Sequence, residues 1–181
     1  GNHYTSVFQD EDGYHMYYHS VSGRSNSASG KDWKSYTCYA TSQDGVNWSR
    51  PSLGLYEFQG SKKNNIVFPG PFGSGDGVLL FPYPNTRPGA PREHRYLAPG
   101  ARVQRTKDGE VIRLFLFASS DRVRWHQVSK TAIINGLGTK KPSTYYPPAN
   151  LLDSDHSLFW DTVSKRYILY LRDQRVLADT G

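Results

Sequence analysis

The amino-acid sequence repeats itself at a fixed spacing. The stretch SQDGVNW that begins at Ser42 returns as SSDRVRW at Ser119, and 119 minus 42 gives a spacing of 77 residues. A second pair lies in the same register: SVFQDEDGYHMYY begins at Ser6, SLFWDTVSKRYILYL begins at Ser157, and 157 minus 6 gives 151, close to two spacings. Self-similarity of this kind is typical of a repeat architecture, so we expect one supersecondary unit to be used more than once.

Short runs of aromatic and β-branched residues indicate that the unit consists of β-strands. The clearest runs are YHMYY from Tyr14, YTCYA from Tyr36, VIRLFLFA from Val111 and YILYL from Tyr167. Several of them alternate apolar with polar residues, as half-buried strands do. Asp-Gly pairs, which favour tight turns, stand at residues 12–13, 44–45, 76–77 and 108–109. The sequence therefore predicts an all-β, propeller-like fold of four-stranded antiparallel blades, with very little helix.

The recurring turn is predicted to be structural. The residues that recur at the same spacing are Ser42, Asp44 and Trp48 in the first copy and Ser119, Asp121 and Trp125 in the second. The Asp side chain can accept backbone N–H groups within the turn, and Ser can do the same more weakly. The Trp can fill the gap between neighbouring sheets and bury a large apolar area there. We therefore expect these six residues to build the scaffold and to take no part in chemistry.

The chain length predicts an incomplete propeller. The 181 residues divide into repeat units at about 1–67, 68–149 and 150–181, which make a single partial propeller domain of two full units and the opening of a third. Sheet faces that ought to pack on neighbouring blades would then be exposed, and large apolar patches favour association. We expect either a homo-oligomer, with a two-fold dimer closing face to face as the simplest form, or the remainder of a longer chain.

Composition argues against several other classes of function. The net charge of +6 comes from scattered lysines and arginines, whereas a nucleic-acid surface usually shows a clustered stripe. No apolar run approaches the roughly 18 residues that span a bilayer. The six histidines are dispersed, and no Gly-rich phosphate loop stands between a strand and a helix. The sequence therefore indicates no nucleic acid, no membrane, no metal and no cofactor.

Three segments resemble a known superfamily. They are YATSQDGVNWSRPSLGLYEFQGSKKNNIVF at 39–68, PGAPREHRYLA at 88–98 and DSDHSLFWDTVSKRYILYLR at 153–172. In order and spacing they resemble the five-bladed β-propeller glycoside hydrolases, which include invertases, levansucrases, arabinanases and β-xylosidases, and in particular a poorly characterised invertase-like branch. The resemblance covers nearly the whole chain. It implies about two and a half blades of a five-bladed propeller and an oligo- or polysaccharide as the ligand.

The resemblance also implies where a catalytic carboxylate would lie. Family members carry an Asp in an Arg-Asp-Pro pattern that is followed by apolar residues and an aromatic one. The stretch SDHSLFW falls on a similar pattern, which implies Asp155 as a catalytic carboxylate and Trp160 as a substrate-binding aromatic. Asp153 is the competing choice, because it stands two residues earlier and shares a strand face with Asp155. Ser154 and His156 stand where Arg and Pro are expected, and an Asp that caps the turn before the strand is the alternative interpretation.

A complete pair of acids is not identified. Glycoside hydrolysis needs two carboxyl groups across the scissile bond. Alignment of the first unit on the third puts Tyr4 opposite Asp155, so Tyr4 can line a substrate site but cannot replace a carboxylate. The middle unit offers Asn85 and no acid at the comparable stretch. The expected function is thus a partial or degenerate glycoside hydrolase-related module, and the alternative is a non-catalytic carbohydrate-binding or oligomerising propeller fragment.

Overall fold

The described part of the chain is built from β-strands. The computed structural model describes residues 2–22, 34–70, 78–106, 109–135 and 156–171, and for residues 2–4, 103–106 and 109–111 it describes the backbone alone. These residues form 12 strands and one short 3-10 helix, and no α-helix occurs among them. All sheet pairings are antiparallel. The prediction of an all-β, antiparallel fold is confirmed.

The first sheet has four strands in chain order. They are β1 (Asn2–Asp10), β2 (Gly13–Ser22), β3 (Lys34–Ser42) and β4 (Ile66–Pro69). The hairpin between β1 and β2 turns at Gly13, whose φ of 120° is open to glycine but rarely to other residues. Buried residues alternate along β2 at His15, Tyr17 and His19, so one face of the strand lies against protein.

The second sheet has a first strand in two pieces. β5 (Leu79–Leu80) and β6 (Tyr83–Pro84) both pair with β7 (Tyr96–Thr106), which pairs in turn with β8 (Gly109–Ser119). Proline cannot donate a ladder hydrogen bond, and Pro82 stands between the two pieces. β9 (His126–Gln127) and β10 (Ile134–Asn135) pair with β8 on its other side, and the 3-10 helix (Arg92–His94) precedes β7.

The third sheet is one hairpin, formed by β11 (Ser157–Asp161) and β12 (Arg166–Tyr170). Its pairing matches that of the first hairpin, because Ser6 lies opposite Tyr17 and Ser157 lies opposite Tyr170. Leu158 of β11 packs with Leu97 and Ala118 of the second sheet. The repeat found in the sequence is therefore also a repeat of strand register.

The seam between the first and second sheets is filled by Trp125. This side chain packs on the buried cluster that contains Tyr17, Tyr39 and Val67 and also on the cluster of the second sheet that contains Phe117. Its ring meets the ring of Tyr17 edge-on, with centroids 6.0 Å apart. A large apolar side chain thus joins two sheets that share no backbone ladder.

Replacement of Trp125 by Ala is expected to lower the free energy of unfolding by about 2–3 kcal/mol, less than the 3–5 kcal/mol typical of a fully buried Trp because this side chain is half-buried. Trp48→Ala is the matched control, since Trp48 holds the same place in its turn but belongs to no described core cluster. Urea unfolding of both variants at low protein concentration measures the difference. Equal losses would contradict the role given to Trp125.

Candidate functional site

The first recurring turn closes on its own side chains. The Asp44 carboxylate accepts the backbone N–H groups of Val46 and Asn47 at 2.8 and 2.7 Å and the Ser42 hydroxyl at 2.9 Å. The indole N–H of Trp48 donates to the carbonyl of Gly45 at 3.2 Å. Hydrogen bonds from Asn47, Val46 and Ser42 lower the pKa of Asp44 below its usual range, so this carboxylate stays ionised.

The second turn repeats these bonds at equivalent positions. The Asp121 carboxylate accepts the backbone N–H groups of Val123 and Arg124 and the hydroxyl of Ser119. The indole N–H of Trp125 donates to the backbone carbonyl of Arg122. A shallow depression of about 200 Å³ is lined at the first turn by residues of the segment 41–49. Ligand pockets are usually larger, about 300–1,000 Å³. The geometry of both turns is that of self-contained scaffold elements.

The two turns differ in side chain at the position where the backbone is left-handed. Gly45 has a φ of 75°, which glycine adopts without strain, and Arg122 holds the same place with a φ of 72°. A side chain in this left-handed region costs roughly 1–2 kcal/mol. Backbone strain of this kind persists only where the surroundings compensate for it. The compensation lies in the contacts of the Arg122 side chain.

The guanidinium of Arg122 reaches across the seam into the first sheet. One terminal nitrogen lies 3.1 and 3.2 Å from the two carboxylate oxygens of Asp10, and the other nitrogen pairs with the carboxylate of Asp12. The same group lies over the ring of Tyr96, 5.6 Å from its centroid. The backbone carbonyl of Arg122 accepts the Tyr17 hydroxyl at 2.7 Å. A strained turn residue is thus held by charge, by a ring face and by a hydrogen bond.

The Asp10 carboxylate is saturated with donors. Besides Arg122, it accepts the Tyr96 hydroxyl at 2.7 Å, the backbone N–H of Asp12 at 3.0 Å and a contact from His15 at 2.8 Å. Burial alone raises the pKa of Asp10, but the hydrogen bonds from Tyr96, Asp12 and His15 outweigh it and lower the pKa to about 2. A carboxylate has about four lone-pair sites, and here all of them are occupied.

His15 connects this carboxylate to the interior of the first sheet. Its Nε2 faces Asp10, and its Nδ1 lies 2.6 Å from the hydroxyl of Tyr39, whose ring stacks on the imidazole with centroids 5.9 Å apart. Nε2 also lies 2.9 Å from the Arg122 guanidinium. With the proton on Nε2 the imidazole donates to Asp10 and Nδ1 accepts the Tyr39 hydroxyl, whereas with the proton on Nδ1 it donates to the Tyr39 oxygen and Nε2 accepts from Arg122. Burial raises the pKa of Tyr39 to about 12, so its hydroxyl keeps its proton.

Together these residues form an ionic lock between the sheets. We use that name for Asp10, Asp12, His15, Tyr96 and Arg122, which come from β1, the first hairpin turn, β2, β7 and the turn after β8. The group has the residue types of a catalytic centre. Because Asp10 has no free lone pair and Arg122 is already neutralised, we interpret the arrangement as one that positions the second sheet on the first.

The sequence-predicted catalytic and binding residues fall largely elsewhere. Asp153 and Asp155 lie outside the described residues. Tyr4 lies in β1, but its side chain is outside the described part. Trp160 lies in β11 and is described in full. The structure thus places one of the four predicted residues in atomic detail.

Trp160 lies at the edge of the second and third sheets. Its ring meets the ring of Tyr167 at a 70° angle with centroids 5.0 Å apart, and the Tyr167 hydroxyl donates to the side-chain carbonyl of Asn85 at 3.0 Å. The indole N–H of Trp160 is buried and has no hydrogen-bond acceptor among the described residues. Along β11, His156 precedes Trp160 by four residues, so about 13 Å separate the two ends of this segment.

Other kinds of site receive no support from the described residues. Among them, no three His, Cys, Asp or Glu side chains are grouped as ligands for a metal ion. No helix in that part of the chain is sufficiently long and apolar to cross a membrane.

Sequence reasoning missed the ionic lock, although one signal for it was present. Alignment of SQDGVNW with SSDRVRW puts an arginine where the first copy has the turn glycine. A residue with a side chain at a left-handed position is an indication of a local constraint. The partners of Arg122 carried no signal of this kind, because His15 and Tyr96 stand 81 residues apart in sequence (96 minus 15) and meet only through sheet packing.

The pH dependence of stability is expected to report the ionisation of Asp10. Its folded pKa of about 2 lies below the ordinary value of 3.8, so its contribution is complete above pH 5 and is lost as the pH falls toward 2. The difference in unfolding free energy between the wild type and Asp10→Asn should shrink by about 2 kcal/mol over that range. Urea unfolding at several pH values measures it, with Glu93→Gln as a control for the loss of one negative charge. A difference that stays constant with pH would contradict the lock.

The strain at Arg122 can be separated from its contacts by two substitutions. Arg122→Ala removes the guanidinium and keeps the strain, and breaking a buried ion pair in this way is expected to cost about 3 kcal/mol. Arg122→Gly removes both, so it should be more stable than Arg122→Ala by roughly 1 kcal/mol. Thermal and urea unfolding check the order. If Arg122→Gly matched the wild type in stability, the contacts of the side chain would be worth no more than the strain.

Comparison of the chain with protein-family models, with curated proteins and with solved structures finds no match in any of the three.

Proposed function

We propose that this chain is a carbohydrate-active module with the arrangement of the propeller glycoside hydrolases. The observation that supports the proposal is the contact between the leading strands of the three sheets: β6 contacts β1 on one side and β11 on the other. In each sheet the leading strand lies at one edge, and the strands that follow it in the chain add to the sheet one after another. In a propeller, sheets arranged in this way surround a central channel.

The aromatic group at Trp160 suits a sugar. Trp160 and Tyr167 offer partly exposed ring faces, and the amide of Asn85 lies beside them. Sites of this kind combine apolar surface with a few polar groups that fix orientation. We assign Trp160 and Tyr167 as the platform on which a saccharide unit binds.

The hydrolytic step rests on carboxyl groups near β11. Asp155, with Asp153 as its alternative, is joined directly to the segment that leads into this strand. Hydrolysis would need a second acid at about 5–10 Å from the first, with the shorter separations retaining and the longer ones inverting the anomeric configuration. Since Trp160 lies about 13 Å from His156, the residue that precedes the strand, it would hold a sugar unit next to the one that is cleaved.

A second candidate, sugar binding without hydrolysis, is favoured by the state of the described aspartates. Asp10 is saturated, Asp12 is paired with Arg122, and Asp44, Asp121 and Asp161 accept hydrogen bonds from their own turns. Hydrogen bonding in the turn lowers the pKa of Asp161, led by Ser164. A general acid needs a raised pKa, whereas the pKa values of four of these aspartates (Asp10, Asp44, Asp121 and Asp161) are lowered.

The two candidates are separated by one set of variants. Binding of a panel of oligosaccharides, measured by calorimetry, is expected to weaken by about tenfold or more in Trp160→Ala and to change little in Trp48→Ala. Release of reducing sugar is expected to fall by about 10²–10⁴-fold in Asp155→Asn or Asp153→Asn if the chain is a hydrolase. Binding without any hydrolysis by the wild type supports the second candidate. A wild type that binds no saccharide, or binding that is insensitive to Trp160→Ala, rules out both.

A further inference from the structure

The third sheet exposes a pair of aromatic side chains that the first sheet buries. Equivalent pairing places Phe159 and Tyr170 at the positions of Phe8 and Tyr17. The two pairs have nearly the same geometry, stacked with centroids 5.9 and 6.1 Å apart and tilted by 29° and 27°. Their burial differs, because Tyr17 is 1% exposed, whereas Tyr170 is 64% exposed and Phe159 is 43% exposed.

The cause of the difference is the turn that covers the first pair. Trp125 packs on Tyr17, Val123 packs on the same cluster, and the carbonyl of Arg122 accepts the Tyr17 hydroxyl at 2.7 Å. Among the described residues, no such turn lies on Tyr170. We call the surface formed by Phe159 and Tyr170 the back face.

The first sheet exposes apolar side chains whose equivalents in the other sheets are packed. Its own copy of the turn carries Val46, equivalent to Val123, and this side chain is 78% exposed. Val7 of β1 is 48% exposed, whereas its equivalent Leu158 packs on the second sheet and is 7% exposed. We call the surface formed by Val7, Val46 and Trp48 the front face.

We propose that the front face of one chain docks on the back face of a second copy, and that the contact repeats the seam between the first and second sheets. In this arrangement Trp48 lies over Tyr170 as Trp125 lies over Tyr17. The carbonyl of Gly45 accepts the Tyr170 hydroxyl, since a carbonyl has two lone pairs and the Trp48 indole occupies one of them. Because the two faces differ, the interface is heterologous and not a contact of like with like.

Charge at the two faces favours this pairing over the alternatives. Within the chain, Asp12 of the first hairpin turn pairs with Arg122 of the second recurring turn. The turn between β11 and β12 carries Lys165 and Arg166 beside Asp161 and so has a net positive charge. The recurring turn at the front face carries Asp44. The basic hairpin would repel the basic turn and attract the acidic one. The interface lacks a counterpart of the ionic lock, since Gly45 replaces Arg122, so it should be weaker than the internal seam.

A second copy of this chain is the partner that fits, because both halves of the contact are present on one molecule. Each half also reproduces a surface that is already complementary inside the chain, and interface patches repeat well when their register repeats. An apolar pair as exposed as Phe159 and Tyr170 is also of the kind that marks an interaction site.

Mixing of two single-face variants tests the proposal. The wild type is expected to self-associate with rising concentration in sedimentation equilibrium. Val46→Lys damages the front face and Tyr170→Lys the back face, so each should weaken self-association by about tenfold or more. Mixed together, the two variants retain one intact front face and one intact back face and should associate more tightly than either alone. Ile133→Lys, which changes an exposed apolar residue of the second sheet, is the control and should associate as the wild type does.

The results are unambiguous in each direction. All three substitutions are at exposed positions, and unchanged thermal unfolding at low concentration shows that the fold is intact. A wild type that stays monomeric, single variants that behave like Ile133→Lys, or a mixture no tighter than its components would each overturn the proposal. Sugar binding at Trp160 is measured separately, so loss of either property leaves the other to be judged by itself.

Discussion

The contact between Arg122 and Asp10 decides how the first two sheets are placed. A buried carboxylate is costly unless it is paired and hydrogen-bonded, and Asp10 gains donors from three other elements as well as from Arg122. Removing one partner from such a pair costs more than the roughly 1–2 kcal/mol of strain that Arg122 bears. The ion pair therefore outweighs the strain, and the turn after β8 is held at one position on the first sheet.

Apolar packing and charge have different roles at this seam. Trp125 packs on the apolar clusters of both sheets, but an apolar surface gives attraction without direction and would tolerate small displacements of one sheet over the other. The ionic lock adds direction, because a guanidinium and a carboxylate meet well only in one plane. Tyr17 belongs to the apolar cluster on which Trp125 packs, and its hydroxyl donates to the backbone carbonyl of Arg122. The apolar contact and the ionic lock are therefore joined at this residue. The second seam combines apolar packing of Leu97, Ala118 and Leu158 with a hydrogen bond from the Tyr83 hydroxyl to the carbonyl of His156 at 2.9 Å.

The strands and turns could be predicted from the sequence because their causes are local. Alternation along β2 and the turn at Gly13 follow from side-chain period and from the freedom of glycine at positive φ. The partners of Arg122 could not be predicted, since pairing across sheets depends on packing between residues far apart in the chain. Of the candidate site, Trp160 was found through a resemblance, whereas its neighbours Tyr167 and Asn85 emerged only from the fold, 82 residues apart (167 minus 85).

Positions where the repeats agree and positions where they differ have separate meanings in this molecule. Ser, Asp and Trp recur in both turns, and they make the same hydrogen bonds in both, which is what a scaffold requires. Arg122 stands in the second turn where the first turn has Gly45, and only the arginine side chain reaches the carboxylate of Asp10. Phe159 and Tyr170 have the same register and ring geometry as Phe8 and Tyr17, but a larger fraction of their surface is exposed. Phe159 and Tyr170 keep the stacked geometry of the first pair and are exposed, so they present an apolar surface where the first sheet has a packed one.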